Sequence, residues 1–420
     1  MIAATFMGLL LLGLPIALVL AMTALVYIFY AGQTILLQSF AQQLFSGIET
    51  YGLLAVPLFM LAGELMNEGG ITRRLIDFGT VFIGRVRGGL AYINLIVNMM
   101  MASMIGSAAA QIAIMSKAIV PEMERKGYSR EFATATTAAG GLLSPIIPPS
   151  MLFVIFGVLA QIAIGDLFLA GIIPGLMMAA GFIGTVAIVG LFQEFPATEK
   201  RTRLETIRAI AYGVPTLLIP LVIVGGILLG IATPTESAAV ASVTALVIGA
   251  LFYRELKLKS LPKILLNTAI NSSVVIFMIA TANLFGWIIV YEKIPQAGAE
   301  WVTTLTENPL VFLLLVNAIL LFVGMIIDGI AALILIVPIV LPIAQQNYGI
   351  DPYHFGVVVC INLVLGLLTP PVGAGLFIAT AMTGVKPFAL FRQLLPFLLS
   401  TVVVLLIVIW QPWLTTLLIR

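Results

Sequence analysis

The chain has 420 residues, of which 61% are hydrophobic and only 9% are charged, with a formal net charge of +2. A soluble domain carries about 25% charged residues, and a soluble fold of this length could not cover its surface with so few. The composition predicts an all-α polytopic membrane protein. At roughly 20 apolar residues per span it leaves room for about a dozen spans and no sizeable extramembrane domain.

A short apolar helix is expected at 1–14, retained because the segment lacks a basic n-region and a small-residue cleavage site. A second follows at 15–31. Residues 33–48 are amphipathic and suit the membrane interface. A span is expected at 51–67. Residues 89–120 are too long for one span and too short for two, and carry a small-residue centre, MMMASMIGSAAAQ. They predict a re-entrant hairpin. Residues 130–160 are interrupted by SPIIPPS, and a span at 167–192 closes the first half.

A charged linker, 193–209, leads to spans at 210–231, 235–253 and 268–291. Residues 309–342 form a second long segment with a small centre, GMIIDGIAA, which predicts a second re-entrant hairpin. Residues 353–384 are interrupted by TPPVGAG, and the last span starts at 394. A second interfacial helix is expected at 255–265. The runs are long and unalternating, which excludes a membrane β-barrel.

Eighteen of the 20 basic residues fall in five clusters on one predicted side: Arg73 to Arg87, Lys117 to Arg130, Lys200 to Arg208, Arg254 to Lys263, and Lys386 with Arg392. Lys293 and Arg420 fall on the other. By the positive-inside rule the crowded side is cytoplasmic.

The two halves, 1–192 and 210–420, repeat. Pro15 faces Pro234 at an offset of 219, and Thr23-Ala-Leu-Val26 equals Thr244-Ala-Leu-Val247 at 221. Pro121 faces Pro342 at 221, and Pro148-Pro149 faces Pro370-Pro371 at 222. Ser107 and Asp328 sit 221 apart at the two hairpin centres. Five spans and a hairpin per half is an odd count, so the second half is expected to be inverted, as in many secondary transporters.

These breaks are where chemistry is expected. A double proline inside a span frees backbone carbonyls, at several kcal/mol each in lipid. Such a break persists only where it is buried in protein or lines a polar cavity. Freed carbonyls with Ser and Thr hydroxyls suit a hard monovalent cation, and half-helix N-termini suit an anion. Asp328 is the one carboxylate inside an apolar hairpin, and reads as a site residue, a helix N-cap or both. Ser103 and Ser107 at the first tip, and Ser150 and Thr369 beside the breaks, are further candidates. The bland reading of each is a hydroxyl bonded to its own helix. Glu236 is expected to cap its helix, and Glu64 and His354 to sit at the surface. With one Cys and one His, a disulfide framework and a multi-ligand Cys/His metal site are excluded. No basic–aromatic pattern suggests nucleic acid.

The motifs GSAAAQ, PEMERKGY, PPS, ATPTE, YEKIPQ and LTPPVG, in this order along the whole chain, resemble the large membrane subunit of TRAP (tripartite ATP-independent periplasmic) transporters, DctM-like. The resemblance implies Na⁺-driven uptake of an organic acid such as a C4-dicarboxylate or a sialate into a bacterial cell, across the inner membrane. It implies an elevator mechanism, with no cofactor beyond Na⁺ as coupling ion. The implied partners are a small four-helix membrane subunit and a periplasmic substrate-binding protein. The small subunit is expected as a separate polypeptide.

Carried over, one Na⁺ site would use Ser103, Gly106 and Ser107 with the Ser144–Ser150 break. The other would use Gly324 and Asp328 with Thr369 and Gly373. Substrate would lie between Ser107, Ser150 and Asp328. Ala108 stands where many members have a second Ser, which removes one hydroxyl. Competing readings are a stand-alone Na⁺/dicarboxylate carrier, a channel and a membrane-embedded enzyme. The last lacks a catalytic dyad or metal cluster.

Overall fold

The computed structural model describes residues 1–32, 34–79, 81, 88–193, 195–196 and 203–419. Arg85, Arg87, Lys200, Arg201 and Arg420, which the topology argument used, lie outside the described residues. Among the described residues the chain is helical, with no strand.

Among the described residues six helices are long and apolar enough to cross a membrane, or eight if two bent pairs each count as one span. Composition alone left room for about a dozen. The difference lies in the many apolar helices of 10 to 17 residues, which the breaks cut too short to span by themselves.

In the first half, α1 (Ile2–Leu11) and α2 (Ile16–Tyr30) precede α3 (Leu37–Ser46), α4 (Ala55–Glu68) and α5 (Ile71–Gly79). The first hairpin is α6 (Gly89–Ile105) and α7 (Ala108–Arg125), joined by Gly106 and Ser107 alone. The first broken helix is α8 (Arg130–Gly141) and α9 (Met151–Ala160), followed by α10 (Ile164–Phe192).

In the second half, α11 (Arg203–Gly213), α12 (Leu218–Leu228), α13 (Pro234–Val247) and α14 (Leu261–Tyr291) precede α15 (Ile294–Leu305). The second hairpin is α16 (Pro309–Gly324) and α17 (Gly329–Gln346). The second broken helix is α18 (Pro352–Leu367) and α19 (Ala374–Thr383), and α20 (Pro387–Trp410) and α21 (Trp413–Thr416) end the chain.

Caps explain several helix starts. Thr233 and Glu236 form a capping box on α13, the two side chains satisfying each other's backbone N–H groups at 3.3 and 2.8 Å. This is the role expected for Glu236. Two sequence expectations fail and one helix is new. Residues 255–265 form no separate helix: a 3₁₀ turn at Leu258–Ser260 runs directly into α14. Helix α15 was not anticipated, and it meets α16 at 116°. His354 is 2% exposed rather than at the surface. Its ring Nδ1 lies 3.1 Å from the Thr415 hydroxyl, a contact made across the fold by residues too far apart in sequence to be paired by eye.

Two packing groups stand out, and they meet where α14 touches α17 and α4 touches α6. Helix α4 lies against α13 and α14. The hairpins pack on the broken helices: α7 on α8, α6 on α8, and α16 and α17 on α18. The contacts between halves are reciprocal, since α7 also packs on α19 and α17 on α9. Each hairpin's second arm thus rests on the far piece of the other half's broken helix.

Candidate functional site: a cavity between the two hairpin tips

Both breaks have the same local build. Pro148-Pro149 and Pro370-Pro371 are cis. At the first tip Gly106 takes φ +67°, and a Cβ there would come within 3.0 Å of the Pro149 carbonyl. At the second break Gly373 takes φ +56°, and its Cβ would come within 2.9 Å of the Thr369 carbonyl. Only glycine fits either place without strain. A backbone hydrogen bond ties each tip to its break. Met151 N–H donates to the Gly106 carbonyl at 3.2 Å, and Gly373 N–H donates to the Met325 carbonyl at 2.9 Å.

Each tip starts a helix through a side-chain cap. Ser107 Oγ accepts from Ala110 N–H at 3.5 Å, and an Asp328 carboxylate oxygen accepts from Ile330 N–H at 3.1 Å. Behind each tip lies a buried amide cluster. Gln111 donates to Asn98 Oδ1 at 2.9 Å, Asn98 to Asn94 Oδ1 at 2.7 Å, and Asn94 to Thr137 at 2.8 Å. In the second half Asn362 donates to Asn317 Oδ1 at 2.7 Å. These bonds join hairpin arm to broken helix in both halves.

A cavity of about 470 Å³ opens between the tips and helices α4 and α14. Gly106, Ser107 and Asp328 line it, together with the first-turn residues of α7, α9 and α17. Three helix N-termini, each carrying unpaired N–H groups and partial positive charge, therefore open on it. On the opposite wall stand Glu64 and Asn67 of α4 and Thr268 and Asn271 of α14. The Thr268 hydroxyl is buried with no hydrogen-bond partner among the described residues. No Lys or Arg is among the lining residues.

The other candidates lie outside this cavity. Ser150 caps α9: its hydroxyl donates to the Pro145 carbonyl and accepts from Phe153 N–H at 3.1 Å. It borders a void of about 10 Å³, shared with Gly106 and Pro149, which is about the size of one water. Ser103 donates to the Met100 carbonyl at 2.8 Å, and Thr369 to the Leu365 carbonyl at 2.8 Å. The Ser144 hydroxyl is fully buried with no partner among the described residues. Gly324 faces Gly366, where a Cβ on Gly366 would meet the Gly324 backbone at 2.6 Å.

Glu64 was expected at the interface and instead lines the cavity. Sequence reasoning also missed Asn67, Thr268, Asn271 and Gly366. Glu64/Asn67 and Thr268/Asn271 are each polar pairs three residues apart, but other polar residues on the same helices, such as Glu68, Asn267 and Ser272, hide the face they mark.

The profile of the family described as "Tripartite ATP-independent periplasmic transporter, DctM component" matches residues 3–414. The chain belongs to that family. It is 37% identical to the sialic acid TRAP transporter large permease protein SiaM of Vibrio cholerae, over 98% of this chain and 96% of the relative. It is 38% identical to the C4-dicarboxylate TRAP transporter large permease protein DctM of Pseudomonas aeruginosa, over 89% and 88%. The fold is shared with the YdaH transporter of Alcanivorax borkumensis, described as having an unusual topology. The TM-score is 0.67 at 13% identity, over 91% of this chain and 89% of that one. The protein is thus an inner-membrane TRAP permease subunit. Large subunits of this kind work with a small membrane subunit and a periplasmic binding protein, and some relatives are fusions with the small one.

Proposed function

We propose that this subunit imports an organic acid, a C4-dicarboxylate, a sialate or a similar carboxylate, in symport with Na⁺. One observation carries the reading. The cavity between the tips combines three helix N-termini with two carboxylates, Glu64 and Asp328, and no basic side chain. The helix ends attract a substrate carboxylate. The two acidic side chains oppose it, so a bound cation is needed to balance the charge. Supporting cation ligation are the carbonyls and hydroxyls grouped behind each tip. Ser103, Gly106, Ser107 and Ser144 supply one candidate set, and Gly324, Asp328, Thr369 and Gly373 the other. The unpartnered Ser144 hydroxyl fits the first set. Ser107 and Asp328 face the substrate space, with Ser150 just behind.

The elevator reading rests on the packing. The hairpins and broken helices hold one another through reciprocal contacts, while α4 and α14 form the opposite wall, with α13 packed against α4. The first group would move as a body and carry the cavity across the membrane, with substrate delivered by a periplasmic binding protein. The two halves would be inverted repeats.

The test is uptake of labelled succinate and sialate into proteoliposomes holding this chain, its small subunit and its binding protein. The expected result is uptake that needs an inward Na⁺ gradient and the binding protein. Equal uptake without the binding protein would favour a stand-alone Na⁺/dicarboxylate carrier. Equal uptake without Na⁺ would reject the coupling.

A further inference from the structure

A second cavity, of about 570 Å³, lies between α5, α11 and the turn that follows α13. Arg73, Arg74 and Arg208 line it against Asp77 and Glu255. Arg74 is fixed. It pairs with Glu255 at 2.8 Å, donates to the Gly70 carbonyl at 3.0 Å and stacks 3.9 Å over the Tyr253 ring. Tyr253 in turn donates its hydroxyl to the Tyr212 carbonyl. Gly70 takes φ +69°, and a Cβ there would lie 1.9 Å from a Glu255 carboxylate oxygen. The back wall of the cavity is therefore built, and the Glu255 charge is spent on Arg74.

Arg73 and Arg208 remain, two cations facing the one further carboxylate of the lining, Asp77. Both are exposed, and neither has an ion pair among the described residues. Helix α11, which carries Arg208, runs into the span Thr206–Leu228. Leu204 and Ile207, three residues apart on α11, are 77% and 63% exposed. Two free guanidinium groups thus sit at the end of a span, beside side chains suited to acyl chains. That is the depth of lipid phosphates, and guanidinium groups bind phosphate in bidentate fashion. We infer that this cavity binds the net-negative phosphodiester headgroup of an anionic phospholipid, held by Arg73 and Arg208, with an acyl chain along Leu204 and Ile207.

The test uses the purified, delipidated full chain and native mass spectrometry. The probes are dioctanoyl phosphatidylglycerol, dioctanoyl phosphatidylcholine and inorganic phosphate. One saturable phosphatidylglycerol adduct is expected, with phosphatidylcholine much weaker. Arg73→Gln with Arg208→Gln should weaken the adduct about tenfold. Both side chains are exposed, so folding should hold. Arg73→Lys with Arg208→Lys should recover part of the loss, the charge without the bidentate contact, which separates lost charge from lost fold. Unchanged phosphatidylglycerol binding in the Gln variant, or equal binding of phosphatidylcholine, would overturn the site. Displacement of the adduct by millimolar inorganic phosphate would overturn the lipid assignment.

Discussion

Ser107 and Asp328, 221 residues apart, each cap the second arm of a hairpin and both line one cavity. They differ in charge alone as far as capping goes, because Ser and Asp are comparable N-caps. The charge at the second tip is thus a feature separate from the fold.

Asp328→Asn keeps a good cap and removes the charge. Uptake should fall at least about tenfold, the scale of ~1.4 kcal/mol. The Na⁺ concentration for half-maximal rate should rise. Assembly with the small subunit should be normal. Uptake assayed across a Na⁺ series decides it, and an unchanged Na⁺ dependence would reduce Asp328 to a structural cap.

Glu64→Gln removes the second carboxylate from the cavity. Hairpin geometry is untouched, since Glu64 stands on the α4 wall. The expected result is an altered half-saturating concentration for the acid, with thermal stability within about 0.5 kcal/mol of the parent. Identical substrate dependence would show that Glu64 lines the cavity without acting on its contents.

Gly106→Ala and Gly373→Ala should be similarly harmful. Each places a Cβ at positive φ within 3.0 Å of a carbonyl oxygen, which costs roughly 1–2 kcal/mol before any clash is counted. Gly8→Ala is the control, because open space surrounds that position. Melting curves of the three variants give the comparison. Equal melting of all three would mean that the tips have room to relax.

Gly366→Ala should be worse than Gly324→Ala. A Cβ on Gly366 would stand 2.6 Å from the Gly324 backbone, whereas a Cβ on Gly324 finds its nearest atom at 3.5 Å, an ordinary contact. The first change must push α16 away from α18, and overpacking of this kind costs about 1–3 kcal/mol. Stability and uptake of both variants test the asymmetry. Equal effects would mean that the crossing is looser than described.

Orientation is testable with little background, because the single cysteine, Cys360, is fully buried. Lys257→Cys, exposed in the loop after α13, should resist a membrane-impermeant maleimide in intact cells, and Gln296→Cys should react. The reverse pattern would invert the assigned topology.

The cap at Ser107 was not read from the sequence, whereas the hairpin tips, both double-proline breaks and the caps at Asp328 and Glu236 were legible in it. Each departs from the apolar background through backbone chemistry, and such departures show as single letters. The opposite wall was harder. Glu64 and Asn271 sit on helices whose rotation depends on packing partners, and one sequence does not give that rotation. Gly366 was invisible for another reason. Glycine is common in membrane helices, and only the approach of α16 distinguishes this one. His354 was misplaced because its partner, Thr415, comes from the far end of the chain.

The straps from tip to break are made of main chain: the carbonyls of Gly106 and Met325, and the N–H groups of Met151 and Gly373. A side-chain substitution cannot delete such a bond by truncation. The wall formed by Glu64, Asn67, Thr268 and Asn271 is made of side chains alone. A lineage can therefore rewrite what the cavity accepts, one residue at a time, while the joints beneath it are inherited with the backbone.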